Sequence, residues 1–288
     1  MQRDLRLWFL ALPGLLILVA LLNPRVSLNK DIYDLVFVID ITQSMNAQDY
    51  HVHQLPADRL SFVKSSLKQV ISNLPCESKV GLSLFTTKNS FLLFEPLETC
   101  EHYTAIVASL MKIDWRMAWS ADSHIARGLY TSLKEINRLN PKPSLVFLTD
   151  GQQTPATAKE PRFLRESGKN SGLIVGVGNL QPVPIPKLDN NNIQTGYWQV
   201  SEAEGRRDRS QAASGNYLTS VQEQALQRLA RITGLSYHHL ETPEKLVQAL
   251  QTAKLQHRQK ISYDLRWILI ALALVIYITP YIPYRFRR

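Results

Sequence analysis

Two aspartates stand where apolar runs end, each inside a short polar word. Residues 35–39 (LVFVI) lead into Asp40-Ile-Thr42-Gln-Ser44, and residues 145–148 (LVFL) lead into Thr149-Asp150-Gly151. A third word, Ser120-Ala-Asp122-Ser123-His-Ile, opens the helical stretch before Leu145. If the two runs are neighbouring strands, Asp40, Thr42, Ser44, Ser123 and Asp150 converge. Two carboxylates with three hydroxyls make a hard, all-oxygen donor set. That set suits Mg²⁺ or Mn²⁺, or Ca²⁺, and not zinc or copper, which take nitrogen and sulfur. Asp, Ser and Thr also cap helices, and each of these residues precedes a helical stretch. Capping accounts for any one of them alone; the whole set favours a cation.

The elements that must position these residues are legible in the spacing. Runs 35–39, 145–148 and 173–177 (LIVGV) lack polar alternation, the habit of strands covered on both faces of a parallel sheet. Leu60, Val63, Leu67, Val70, Ile71 and Leu74 share one helical face after Pro56-Ala57-Asp58. Ile125, Leu129, Leu133 and Ile136 share another. Ser220-Val-Gln-Glu223 reads as a capping box opening a helix through Ile232, with Gly234 as its stop. Thr242-Pro243 starts a last helix through Leu246, Ala249, Leu250 and Ala253. Strand and helix in alternation predict an α/β fold, a doubly wound and mostly parallel sheet. Residues 80–86 and 90–94 predict a hairpin turning near Lys88, which adds one antiparallel edge strand. Ligands of such sheets bind beyond the carboxyl ends of the strands, where the polar words fall.

Residues 179–217 break the rhythm with Pro182, Pro184, Pro186, Asn190-Asn191-Asn192 and Gly205-Arg206-Arg207-Asp208-Arg209. They read as an inserted loop with a small hairpin around Tyr197-Trp198-Gln199-Val200, either a partner surface or drift in loop length.

The 288 residues carry 33 Lys+Arg against 24 Asp+Glu, a net charge of +9. Residues 1–6, 254–266 and 285–288 hold nine of those bases and two acids (Asp4, Asp264), so +7 sits at the ends and +2 elsewhere. That placement marks membrane flanks and speaks against a nucleic-acid partner. Two cysteines and 45% apolar content exclude a disulfide-dense mini-protein and a disordered chain. The uncharged run 7–22 and the run 267–284 are expected to span a membrane. The second is bounded by Trp267, Tyr281 and Tyr284 and followed by Arg285, Arg287 and Arg288. A cleaved signal peptide and a buried core helix are the alternatives, although VALLNPR offers no small-x-small cleavage site. The expected divisions are 1–23 (start and first span), 30–258 (the α/β domain with its insert) and 265–288 (second span and basic tail).

Charge leaves the orientation open, with five bases on the terminal side against six on the domain side (Arg25, Lys30, Lys254, Arg258, Lys260, Arg266). Cys76 and Cys100 each lie twelve positions from Lys88. An unbroken hairpin register would oppose them and permit a disulfide, which puts the domain in an oxidising compartment such as a bacterial periplasm. Two unrelated thiols are the alternative.

Asp40-x-Thr42-x-Ser44, Ser123 and Thr149-Asp150-Gly151 resemble the metal-ion-dependent adhesion site of von Willebrand factor A domains. The likeness extends over most of residues 34–255, through Ser44-Met45-Asn-Ala-Gln-Asp49, Asp58-Arg59-Leu60, Val80-Gly81-Leu82, Phe85, Gly176-Val-Gly178 and Ile232-Thr233-Gly234. With a span at each end, the chain most resembles bacterial A-domain proteins encoded beside MoxR-type AAA+ ATPases. These include the Bat proteins and accessory proteins of methanol dehydrogenase maturation. The family's first motif is usually Asp-x-Ser-x-Ser, where this chain has Thr42, and its loop threonine is Ser123 here; both keep a hydroxyl. The resemblance implies a site of hydroxyls and waters, with the acids acting partly through water. An open position on the cation would accept an Asp or Glu carboxylate from a protein partner. Other A-domain proteins and a MoxR-type ATPase are implied partners, and assembly or maturation of an envelope complex is the implied role.

His51, His53 and His238-His239 lack a Cys/His set at zinc spacing. Gly176-Val-Gly178 lacks the third glycine of a dinucleotide loop, and no GxxxxGK[ST] occurs. A metal-free scaffold with a degenerate site is one alternative function. A Mg²⁺-dependent phosphotransferase of the haloacid-dehalogenase type is another, but it needs a second acid where Thr42 stands. The expected activity is binding and not catalysis.

Overall fold

The computed structural model describes residues 2–119, 122–154, 161–163, 170–203 and 215–279. In chain order, α1 (Gln2–Leu21) precedes β1 (Arg25–Asp40), a 3-10 turn at Gln43–Asn46 and α2 (Arg59–Asn73). A hairpin of β2 (Lys79–Thr86) and β3 (Asn89–Glu98) leads through α3 (Tyr103–Met111) to α4 (Ile125–Ile136) and β4 (Ser144–Thr149). After β5 (Gly172–Gly176) the insert contributes β6 (Val183–Pro184), β7 (Pro186–Leu188), β8 (Gln194–Tyr197), the single turn α5 (Val200–Ala203) and β9 (Leu218–Thr219). Then follow α6 (Glu223–Thr233), β10 (Ser236–His239), α7 (Pro243–Thr252), β11 (Gln256–Asp264) and α8 (Arg266–Ile278).

Residues 32–257 form one compact unit. Its sheet runs β10-β5-β4-β1-β2-β3, parallel from β10 to β2 and antiparallel at the β3 edge. Alternate residues of β1 serve opposite faces. Leu35, Phe37 and Ile39 join α2, α3 and α7 in one core, through Phe62, Leu67, Ile106, Leu110, Leu246 and Leu250. Val36 and Val38 meet α4 and α6 in the other, through Leu129, Leu133, Leu226 and Leu229. Each such side chain, fully buried, is worth about 1.5–3 kcal/mol over its exposed state. Burial on both faces is why the strands read as continuous apolar runs.

Helix starts follow local chemistry in two cases. The Asp58 side chain accepts from Ser61 N at 2.8 Å, and the Thr242 hydroxyl from Lys245 N at 3.3 Å ahead of Pro243. Gly234 ends α6 at φ +77, as expected of a C-cap. The predicted capping box at Ser220 is corrected: α6 begins at Glu223 with Gln222 as its N-cap. Gln222 N donates to Asp150 O at 2.7 Å, so a tertiary bond fixes where the helix begins. The predicted hairpin around Tyr197–Val200 is also displaced. β7 pairs with β8 around a turn in which the Asp189 carboxylate accepts from Asn191 N and Ile193 N, each at 2.8 Å, while Val200 opens α5. Residues Gly205 to Arg209, singled out in the sequence, lie outside the described residues, as do Ser120 and Ala121.

The β2–β3 register shifts between Val80 and Leu82 and again between Leu82 and Ser83, so it is not unbroken. Cys76 and Cys100 nevertheless form a disulfide, with Cα atoms 5.2 Å apart.

The residues before Ile32 and after His257 form a second unit, in which α1 packs on α8 and Leu265 N donates to Pro24 O at 3.1 Å. Leu15, Leu18 and Leu21 of α1 and Trp267, Ile270, Leu274 and Val275 of α8 are exposed. Among the described residues no helix is long and apolar enough to cross a membrane. The 13 residues of α8 reach about 20 Å, short of a hydrocarbon core of about 30 Å. The remainder of the expected second span, with Tyr281, Tyr284 and the arginines from Arg285 on, lies outside the described residues.

Candidate metal centre

β1 delivers Asp40 fully buried at its carboxyl end. Its Oδ1 accepts from Thr42 N at 2.9 Å and from Thr42 Oγ1 at 2.7 Å, and Thr42 Oγ1 lies 3.4 Å from Ser44 Oγ. The 3-10 turn at Gln43–Asn46 folds this word back on itself. β4 lies beside β1 with Ile39 opposite Leu148, which sets Thr149 next to Asp40; Thr149 Oγ1 donates to Asp40 Oδ2 at 2.6 Å. Gly151 N donates to Thr149 Oγ1 at 3.0 Å, closing the turn that carries Asp150. Asp150 Oδ1 accepts from Gln152 N at 2.9 Å, and its Oδ2 from Arg59 Nη1 at 2.9 Å and Thr219 Oγ1 at 3.2 Å. Ser123 is locked by two backbone bonds with Thr154, at 2.8 and 2.9 Å.

Burial, and next the charge of Asp150, push the Asp40 carboxyl up to about 7, against the hydrogen bonds from Thr149 and Thr42. The charge of Asp150, although paired with Arg59, still disfavours a second charge on Asp40, which a proton or a cation relieves.

Sequence reasoning missed two members of the site. Arg59 is fully buried and fork-bonded to Asp49, with Nη2 to Oδ2 at 2.6 Å and Nε to Oδ1 at 3.1 Å, while Nη1 reaches Asp150 and, at 3.0 Å, Thr219 Oγ1. In the sequence it stood only inside the word Asp58-Arg59-Leu60. Gln152 is the other. Its Nε2 donates to Leu218 O at 3.3 Å, which turns Oε1 inward. Its position two residues past Asp150 was the available signal.

A cavity of about 70 Å³ lies over the word that follows β1. Its floor is Thr42, Gln43, Ser44, Ser123, Gln152 and Thr154. Its roof is Ile185, Trp198, Glu202 and Tyr217 of the insert. Ser123 Oγ and Gln152 Oε1 are buried and have no hydrogen-bond partner among the described residues. Ser123 and Gln152 line the cavity and each carries a buried, orphaned oxygen; beside the hydroxyls of Thr42 and Ser44 this donor set fits a hard cation, which satisfies such lone pairs. Of the five predicted residues, Thr42, Ser44 and Ser123 line the cavity. Asp40 and Asp150 lie behind, each held by partners of its own.

The remaining candidates do not assemble. His51 and His53 are exposed loop residues, and His239 Nε2 lies 2.7 Å from Gly178 O. Cys76, Glu98 and Cys100 cluster, but both sulfurs are committed to the disulfide.

Residues 35–153 match the von Willebrand factor type A domain. No curated protein matches the chain. Among solved structures, an aerotolerance-related membrane protein from Bacteroides fragilis superposes with a TM-score of 0.53 at 19% identity, covering 77% of this chain and 98% of that one. The protein BatB from Bacteroides thetaiotaomicron superposes with a TM-score of 0.54 at 19% identity, over 77% and 98%. At that identity the likeness is one of fold.

Proposed function

We propose that this chain, which carries a von Willebrand factor type A domain, is a membrane-anchored, metal-dependent protein-binding module and not an enzyme. The observation that carries this is the pair of buried, partnerless oxygens, Ser123 Oγ and Gln152 Oε1, on two residues that line one cavity with Thr42 and Ser44. These residues would hold Mg²⁺ or Mn²⁺, or Ca²⁺, and a bound cation supplies Lewis acidity toward a carboxylate. Few anionic groups reach the cavity: Asp40 and Asp150 stand behind hydroxyls, and Arg59 offsets the charge of Asp150. A cation there stays electron-poor, and a protein partner's Asp or Glu is its natural ligand.

The domain is anchored by the apolar runs 7–22 and 267–284, supported by the outward-facing leucines and isoleucines of α1 and α8. It faces a bacterial periplasm, supported by the Cys76–Cys100 bond. Its role is assembly or maturation of an envelope complex, with other A-domain proteins and a MoxR-type ATPase as partners. An outward-facing domain reaches a cytoplasmic ATPase through the membrane segments or through other subunits. No observation favours phosphoryl transfer, because the second acid it requires is Thr42, whose hydroxyl serves Asp40.

Calorimetric titration with Mg²⁺ and Mn²⁺ is the test. Binding is expected in the wild type and lost in Asp40→Ala and Asp150→Ala. Heats unaltered by both substitutions would leave a metal-free scaffold instead. Cation binding is also expected to raise Tm relative to chelator.

A further inference from the structure

The insert after β5 is built into the site it covers. Its roof residues are bonded to one another: Ile185 N to Tyr217 O at 3.2 Å, Trp198 N to Ile185 O at 3.0 Å and Tyr217 N to Trp198 O at 2.7 Å. Its base is bonded to the floor, where Leu218 O orients Gln152 and the Thr219 hydroxyl sits between Arg59 and Asp150. Loop drift would leave such a segment tied to nothing in particular. This one is hydrogen-bonded on either side of the cavity.

Glu202 is the acid among the residues that line the cavity. It sits on α5, with Oε1 held by Lys187 Nζ at 2.7 Å and Oε2 accepting from Gln199 N at 3.2 Å. Lys187 in turn lies 4.7 Å from the centre of the Trp198 ring. A carboxylate is thus kept across a small cavity from the hydroxyls of Thr42, Ser44 and Ser123. A divalent ion on those oxygens would attract it with twice the charge of Lys187. A second carboxylate entering the cavity would compete with Glu202 for the same ion.

We propose that the described parts of the insert, residues 183–203 and 215–219, are the centre's own lid and Glu202 its internal ligand, occupying the cation position that a partner's Asp or Glu must take. The proposal rests on the metal reading of the site. Docking then requires an exchange of carboxylates, with Lys187 receiving Glu202 when the lid lets go.

The test is Mn²⁺ binding to the full chain in detergent, read by electron paramagnetic resonance and by the relaxation of water protons on bound Mn²⁺, with acetate as the competing carboxylate. In Glu202→Gln the Mn²⁺ affinity should fall roughly tenfold or more, as expected for loss of a ligand. Bound Mn²⁺ should relax more water, and acetate should reverse that gain at concentrations that leave the wild type unchanged. Lys187→Met, which frees Glu202, should bind Mn²⁺ more tightly than wild type. If Glu202→Gln matches wild type in affinity and water relaxation while Asp40→Ala loses Mn²⁺, the lid is wrong and the metal centre stands. If neither wild type nor Asp40→Ala binds Mn²⁺, both fall together.

Discussion

Asp40 holds its proton to about pH 7 because it is buried and faces the charge of Asp150. In the unfolded chain an aspartate ionises near pH 4 (about 3.9). Between those values the metal-free folded protein binds more protons than the unfolded one, so its stability falls as pH rises and levels off above 7. With chelator present, Asp40→Asn is expected to flatten that decline; urea midpoints from pH 4.5 to 7.5 with the same slope in both proteins would refute it. Arg59 poses the opposite problem. Its charge is compensated by Asp49 and Asp150, both buried. Arg59→Leu leaves two uncompensated carboxylates and should cost roughly 3–5 kcal/mol, read as a lowered denaturation midpoint. At this scale the sequence was informative where a residue sits at a strand exit, as Asp40, Thr42, Ser44 and Asp150 do. It was silent on Arg59, since arginine is ordinarily a surface residue and only the fold decides that four segments meet around it.

Elements were legible where their signal is local. Asp58, Thr242-Pro243 and Gly234 act within one turn of the helices they delimit, and the apolar runs of β1, β4 and β5 report burial directly. The start of α6 was misread because a distant partner, Asp150 O, sets it, and the hairpin of the insert because the Asp189 carboxylate turns the chain ahead of the residues expected to do so. The Cys76–Cys100 bond closes a loop of sequence separation 24 around the β2–β3 hairpin. Replacing both cysteines by serine should cost roughly 3 kcal/mol in the chain-entropy account, measurable as a shift in Cm. On α4, a Cβ at Gly128 would lie 2.1 Å from the Phe85 ring. Gly128→Ala gains at most about 1 kcal/mol in helix propensity and loses about 1–3 kcal/mol to overpacking, so a net loss of stability is expected on thermal unfolding.

For the whole molecule, the charge at the ends and the apolar runs beside it were plain in the sequence. The sequence expectation that both runs span a membrane is not met among the described residues, where no helix is long and apolar enough to cross one. The anchoring proposal predicts that the full chain stays with the membrane fraction after an alkaline carbonate wash; release into the supernatant would remove its basis. One feature of the sheet bears on how such molecules coexist. Opposite Gly81, the β3 strand carries its register shift beside Pro96, and Phe94 O comes within 3.0 Å of where a Cβ on Gly81 would be. A border whose register is broken twice offers a newcomer an irregular row of donors and acceptors, so neighbouring copies are denied the easiest way of zipping together.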